Sequence, residues 1–249
     1  PYPAGRVVFA MPVTKSYFAL SAQGSAALVG VDGVSIAGKM AISINQGKDG
    51  ALDIAAIDFV SSATANPDRF GSASGLIVPT GPDDDQFVTI GLNQSNLLEV
   101  AGYVAISIAD FLHVSGQFAF SKGGAPQTVT IAGTNGTQTK QVNVLTIGAS
   151  DVNAFVGVGG PYFVDSNGDG FIDETDTPQS DGAMGFVLSN LDFALALFRP
   201  VSLADKSSYY SISASGGAEV VGIDGITIRA DVLGVEINGG KTASGLAQA

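Results

Sequence analysis

Along the first fifty residues, apolar and polar side chains alternate. Phe18, Leu20, Ala22, Gly24, Ala26 and Leu28, then Val34, Ile36, Met40, Ile42 and Ile44, keep to alternate positions, with Ala19, Ser21, Gln23, Ser25, Ser35, Lys39 and Ser43 between them. Period two with one apolar face is the pattern of a half-buried β-strand. The alternation holds its phase across Asp32-Gly33, where a two-residue hairpin turn would shift it by one. That corner is therefore either an odd-length, bulged hairpin loop or a bend that carries the strand into the next face of a coil. No long stretch places apolar groups at i, i+3, i+4 and i+7, and Gly, Asn, Asp and Ser break the chain at short intervals. Asn93 to Val100 is the one place for a short helical turn, with Asn93 or Ser95 as its cap.

The same pattern returns further along. Ser16 to Gly38 aligns without gaps on Ser208 to Ala230, an offset of 192, with identical residues that include Ser16/Ser208, Tyr17/Tyr209, Gly24/Gly216, Ala26/Ala218, Gly30/Gly222, Asp32/Asp224, Gly33/Gly225 and Ile36/Ile228. A fainter copy, Gly102 to Ser121, follows Gly24 to Ser43 at an offset of 78 and keeps Gly102, Ala105, Asp110, Gly116, Ala119 and Ser121. Shorter echoes at Ile54 to Val60, Leu145 to Val156 and Val187 to Leu197 share an apolar strand, an Asp or Asn corner and another strand. Repetition at a fixed period marks stacked structural units. The chain divides into one full β-rich repeat, residues 1–200, and the start of the next copy, residues 201–249, with a tandem array as the natural inference.

These features predict an all-β fold: an elongated, β-solenoid-like stack of short strands with Gly/Asp corners, or, as the alternative, a sandwich of antiparallel strands. Ser61 to Ser74, Pro79 to Gln86 and Ser121 to Thr139 read as loops, with a short strand available at Thr128 to Ala132. The tail Thr242 to Ala249 reads as disordered or as awaiting the rest of its repeat.

Composition narrows the function. Lys and Arg number 11 against 23 Asp and Glu, a net charge of −12 with a pI near 4.2, so nucleic acid and anionic lipid surfaces are repelled. Apolar runs such as Phe193 to Phe198 fall far short of the roughly 18 residues of a spanning helix. The start Pro1-Tyr2-Pro3 has no signal-peptide character, so any such peptide lies upstream or is gone. The absence of cysteine removes thiolate metal sites and thiol catalysis, and suits an oxidising exterior.

One segment carries chemistry. Asp165, Asn167 and Asp169 occupy positions 1, 3 and 5 of a twelve-residue loop, Gly170 position 6, Phe171 position 7, Asp173 position 9 and Asp176 position 12. Calcium takes six to eight oxygens at about 2.3–2.6 Å, and this spacing offers carboxylates, an amide, the Phe171 backbone carbonyl and a further acid at position 9, often through water. Ile172 at position 8 is the apolar anchor. Along all twelve positions the loop resembles a dockerin-type, EF-hand-like calcium loop, in which Asp stands at position 12. Neither a second loop nor the dockerin helices accompany it, so cohesin binding does not carry over. A lone loop between the strands Ala154 to Val158 and Met184 to Leu188 implies structural calcium, not signalling.

Other candidates have plainer readings. Asp83-Asp84-Asp85 is either a second cation site or, as three consecutive acids pointing different ways, a solvated loop tip. The acids Asp32, Asp58, Asp110, Asp192 and Asp224 are expected to cap their own turns. His113, the only imidazole, aligns with Ser35 and Thr227 and is expected on a strand's polar surface. Gly71-Ser72-Ala73-Ser74-Gly75 lacks the serine of a nucleophile elbow, and Gly157-Val158-Gly159-Gly160-Pro161 fits neither a dinucleotide nor a phosphate loop. The matched aromatics Tyr17, Phe18, Tyr209 and Tyr210 are expected in packing.

Long degenerate repeats, Gly/Ala/Ser/Val-rich alternating strands, acidity, the lack of cysteine and an embedded calcium loop together resemble tandem modules of giant bacterial surface or secreted proteins of the adhesin type. That resemblance implies an extracellular or cell-surface structural module, a spacer or self-associating filament or surface-layer subunit, with calcium as cofactor, copies of the same repeat as partners and no catalytic residues. The alternatives are a calcium-dependent adhesin domain binding carbohydrate or protein and, more remotely, a polysaccharide-acting enzyme, which rests on fold analogy.

Overall fold

A strand with alternating side chains offers its amides and carbonyls sideways, and these must find partners. In the computed structural model, which describes residues 14–28, 30–93, 97–109, 111–133, 136–179, 181–241 and 247–248, they find them in one antiparallel sheet. In chain order the elements are β1 (Lys15–Ala27), β2 (Val34–Asp49), β3 (Leu52–Ile54), α1 (Phe59–Ala65), α2 (Pro67–Phe70), β4 (Leu76–Pro79), β5 (Phe87–Ile90), β6 (Leu97–Ile108), β7 (Leu112–Lys122), β8 (Gln127–Gly133), β9 (Gly136–Val158), β10 (Met184–Pro200), β11 (Ser208–Val221), β12 (Ile228–Lys241) and β13 (Ala247–Gln248). The sheet runs β1-β2-β6-β7-β9-β10-β11-β12-β13, with β3 added to β2 and β8 to β9, while β4 and β5 pair apart from it. The all-β expectation holds. The expected short rungs are long strands joined by hairpins, and among the described residues no pairing links β1 to β12.

The Asp32-Gly33 corner is a hairpin. β1 pairs with β2 through Ala26↔Gly38, and the turn is closed by Val34 N–H donating to the Val31 carbonyl at 3.3 Å. The matched segments occupy equivalent places. Val104↔Gly116 lies 78 residues on in the β6–β7 hairpin, and Ala218↔Ala230 lies 192 residues on in the β11–β12 hairpin. There Ile226 N–H donates to the Ile223 carbonyl at 3.2 Å, and Gly222 and Gly225 take the left-handed conformation of Gly30 and Gly33. β12 then carries one extra residue: Gly216 pairs with Leu233, but Ala218 with Ala230. Beyond that bulge β12 follows β2 at an offset of 193, matching Ile44 with Ile237, Asn45 with Asn238, Gly47 with Gly240 and Lys48 with Lys241.

Four expectations fail locally, the first being Ser61 to Ser74, which reads as a loop but holds most of α1 and all of α2. Ile54 to Val60 is not a strand–corner–strand: Asp58 accepts from Ser61 N–H at 2.8 Å and caps α1, which buries Phe59 and Ala63 one helical turn apart. Of Asn93 to Val100, the stretch Leu97 to Val100 belongs to β6 and is no helical turn, while residues 94–96 lie outside the described residues. The echoes in β9 and β10 contain no corner either. Each strand runs straight through a bulge, where Asp151 and Asn190 adopt positive φ of 53° and 49°. Thr128 to Ala132, by contrast, lies within β8 as anticipated.

The covered side of the sheet is the one the alternation marks as polar. Asn45, Leu97, Tyr103, Ser115, Val142, Phe155, Val187 and Tyr209 are buried, and the pairings place them all on that face. Asn45 donates to the Ile57 carbonyl at 2.8 Å, under the segment that leads into α1. At the other end of the strands, residues 159–183 fold over the face, and Phe155 packs there with Ala183, Val187, Tyr162 and Phe163. Its ring lies against Gly157, Gly160 and Gly185, where a Cβ would come within 2.7–3.0 Å of it. Phe18, Ile36, Met40 and Phe118, on the apolar-lettered face, stay exposed. The chain shows 16,323 Å² to solvent, where a compact monomer of its mass would show about 10,000 Å².

Two predictions follow from this thin core. Phe155→Ala lowers stability by about 3–5 kcal/mol, read as a lower urea midpoint with unchanged slope. The second concerns the β10–β11 connection, where Asp205 accepts from Lys140 Nζ at 2.7 Å and from Ser207. The Lys140 bond, then those from Ser207, holds the Asp205 carboxyl down to about 2. A depressed carboxylate stabilises the fold above its unfolded pKa and loses that contribution as pH falls. Asp205→Asn should therefore flatten the acid limb of the stability profile between about pH 4 and pH 2, measured by urea unfolding across that range.

Candidate functional site

The acidic loop leaves the sheet at Val158 and returns at Met184, which pair directly. Its backbone reverses at Gly168 and Gly170, with φ of 79° and 88°, a region costly for other residues. Each of the four aspartates and Asn167 takes up a nearby amide. Asp165 accepts from Gly168 N–H at 2.7 Å and Gly170 N–H at 2.9 Å, Asn167 from Asp169 N–H at 3.0 Å, Asp169 from Phe171 N–H at 2.8 Å, and Asp173 from Thr175 N–H at 2.8 Å. Asp176 closes the loop, accepting from Ser166 N–H at 2.7 Å, Asn167 N–H at 3.3 Å and Asp173 N–H at 3.0 Å. These bonds, the one from Asp173 first, hold its carboxyl below the usual carboxylate range. Asp165 and Asp176, first and last of the set, are thus tied through Ser166 and Asn167. Among the described residues no three acidic or imidazole groups converge as a metal cage, so the loop has the donor set and the winding, with its oxygens turned onto its own amides.

The loop is docked on the sheet by its middle. Phe171 meets the ring of Tyr103 edge-on at 5.1 Å, Lys39 Nζ sits 4.3 Å above the Phe171 ring, and Ile172 N–H donates to the Tyr103 hydroxyl at 2.9 Å. The attachment therefore crosses from the β9–β10 connection over β7 to β6 and β2. A cleft of about 450 Å³ opens beside it, lined by Ser25, Ala37, Lys39, Tyr103, Asp165 and Phe171 among others. Burial of Tyr103 is the main cause that raises its hydroxyl pKa, with Asp165 and Asp176 adding to it against the bonds from Ile172 and Ser115. The hydroxyl therefore stays protonated. Sequence reasoning missed Tyr103. Its repeat equivalents are Ser25 and Gly217, and an aromatic that breaks a repeat was the available signal.

The other candidates fall apart spatially. His113 is not a surface residue: it is half-buried, its Nδ1 lies 3.0 Å from Ser107 Oγ, its ring stacks at 6.3 Å on Phe155, and its Nε2 is buried without a partner. Asp83 accepts from Gln86 Nε2 at 3.0 Å in an exposed turn, which is the loop-tip reading. Asp58 caps a helix, and Asp192 accepts from the Asp151 amide of the neighbouring strand at 3.3 Å instead of capping its own turn. The turns at Asp32 and Asp224 are closed by backbone bonds, and Asp110 lies outside the described residues. Tyr209 is buried beside Lys140, whereas Tyr17 is 52% exposed. No described helix is long and apolar enough to cross a membrane.

Tyr103→Phe leaves the Ile172 amide without an acceptor, a loss of about 1–3 kcal/mol. Hydrogen exchange should show the Ile172 amide exchanging faster while amides of β11 and β12 are unchanged. No family model, no curated protein and no solved structure matches the chain.

Proposed function

We propose that the protein is an extracellular structural repeat module, a spacer or self-associating subunit, stiffened by calcium held in the loop of Asp165, Asn167, Asp169, Phe171, Asp173 and Asp176. The observation that carries this reading is the attachment of that loop to Tyr103 and Lys39, far away in sequence. Ordering the loop around a divalent cation orders its grip on β2, β6 and β7 as well. Calcium would swing the carboxylates from the amides whose bonds they accept to the ion, with the Phe171 carbonyl completing the set, and would relieve the repulsion among five acids in twelve residues. The recurrence of one hairpin register along the sheet supports a tandem arrangement.

A carbohydrate-binding adhesin draws less support. Tyr17 and Phe18 are both exposed, but as neighbours on a strand they face opposite sides and form no common stacking platform.

The test is a thermal melt in millimolar calcium against chelator, with Asp165→Ala/Asp169→Ala as control. Calcium at about a hundred times its Kd adds about 2.7 kcal/mol, a rise in Tm of roughly 5–10 °C for a chain of this size. The double variant should show no rise. A wild-type chain whose melt ignores calcium would refute the calcium part of the proposal.

A further inference from the structure

The repeat assigns a glycine that its own molecule does not explain. Gly102 in β6 and Gly216 in β11 occupy one repeat position, and each is closely approached by the strand opposite its hairpin partner. A Cβ on Gly102 would lie 2.9 Å from Met40 Cα in β2, and one on Gly216 would lie 3.0 Å from Leu191 Cα in β10. Gly24 holds the same position in β1, and among the described residues nothing lies within 4 Å of where its Cβ would be. The edge of β1 that β2 leaves free is the edge on which its two counterparts are covered.

The far edge of the sheet shows the complementary situation. On β2, β3 covers Gly47 to Asp49 and β6 covers Val34 to Asn45. On β12, β13 pairs with Gly240 and Lys241, the counterparts of Gly47 and Lys48, and among the described residues no strand pairs with the stretch that would match the β6 contact. Three residues that are sheltered on β2 are bare there: Asn45 is buried at 1% exposure while Asn238 is exposed, and Ile42 and Ile44 are half-buried while Val235 and Ile237 are exposed.

We propose that this open stretch of β12 accepts β1 of a second copy of the chain, in the register by which β2 accepts β6. This deepens, and rests on, the reading of the chain as a structural module. β6 is the repeat counterpart of β1, so the β2–β6 ladder specifies the joint: Met40↔Gly102, Ile42↔Val100 and Ile44↔Leu98 become Leu233↔Gly24, Val235↔Ala22 and Ile237↔Leu20 between copies. The glycine then faces a long apolar side chain in every copy: Met40, Leu191 and Leu233. The strand comes from another molecule because the chain's own β1 does not pair with β12. The eight long strands of the meander alternate in direction, so β1 of a second copy meets β12 antiparallel, as every other pair in the sheet does. The joint is head-to-tail, and such joints build rings or filaments.

The chain has no cysteine, which makes a cross-linking test clean. Val235→Cys and Ala22→Cys chains, mixed in calcium under mild oxidation, should give a disulfide-linked dimer, since directly opposed antiparallel residues lie within disulfide reach. Val235→Cys mixed with Ser21→Cys should cross-link at least tenfold less. Ile237→Cys with Leu20→Cys is the second pair, should either first variant fail to fold. Gly24→Val should keep the wild-type melting temperature, having no internal neighbour to strike, and should abolish association in sedimentation velocity. The proposal is overturned by the absence of cross-linked dimer with both pairs, by association of Gly24→Val like wild type, or by a Val235→Cys/Ala22→Cys chain that bridges internally at high dilution. A calcium-dependent melt with no cross-link would sink this joint and leave the module reading standing.

Discussion

Backbone hydrogen bonding across one continuous sheet is the constraint on which everything else depends. Few of the described side chains are buried, and most of the buried ones on the sheet lie on a single face. Cohesion therefore comes from ladders between long strands, up to the 23 residues of β9, where every interior strand is paired on both sides. Side-chain packing enters as two patches on that framework, one under the segment leading into α1 and one under residues 159–183. A charged clasp, Lys140 with Asp205, fixes the connection between β10 and β11. Such a molecule exposes far more surface than a globule of equal mass, and its two edge strands are its least satisfied elements.

Much of this was legible in the letters. Alternation gave the strands and their phase: Leu20↔Ile44 and Ala22↔Ile42 pair as the pattern requires, even positions opposite even. The repeats marked equivalent hairpins, because Gly30 and Gly33 are demanded by left-handed turns that recur at Gly222 and Gly225. The face that becomes covered was not legible. Alternation identifies an apolar side, but the covering segments at 55–65 and 159–183 dock on the other, held by Asn45, Tyr103 and Phe155, whose neighbours in space are remote in sequence. α1 was hidden because seven residues are too few to show a helical period, and its cap, Asp58, resembles a strand corner. The end of the ungapped repeat at Ala230 had a structural cause, the bulge in β12, which no alternation pattern displays.

The acidic loop was legible as a donor set and illegible as an attachment. Spacing along twelve residues says which oxygens are available to a hard cation, since that is a local property of the chain. It says nothing of Phe171 turning to Tyr103, nor of Lys39 closing over it, because these contacts belong to strands laid down earlier in the sequence. The half-buried His113 is a parallel case: its alignment with Ser35 and Thr227 is sound, but in this copy alone Phe155 is stacked over it.

The direction of the strands gives the loop a mechanical meaning. β1 begins and β12 ends at the same end of the sheet, the end opposite the one from which residues 159–183 emerge. Tension applied through Lys15 and Lys241 enters at that end and opens the ladders rung by rung, like a zipper, instead of shearing all rungs at once. The loop spans the far end from β10 and β9 across β7 to Tyr103 on β6, so it acts as a crossbar beyond which the tear cannot run without first breaking a contact that lies across the strands, not between them.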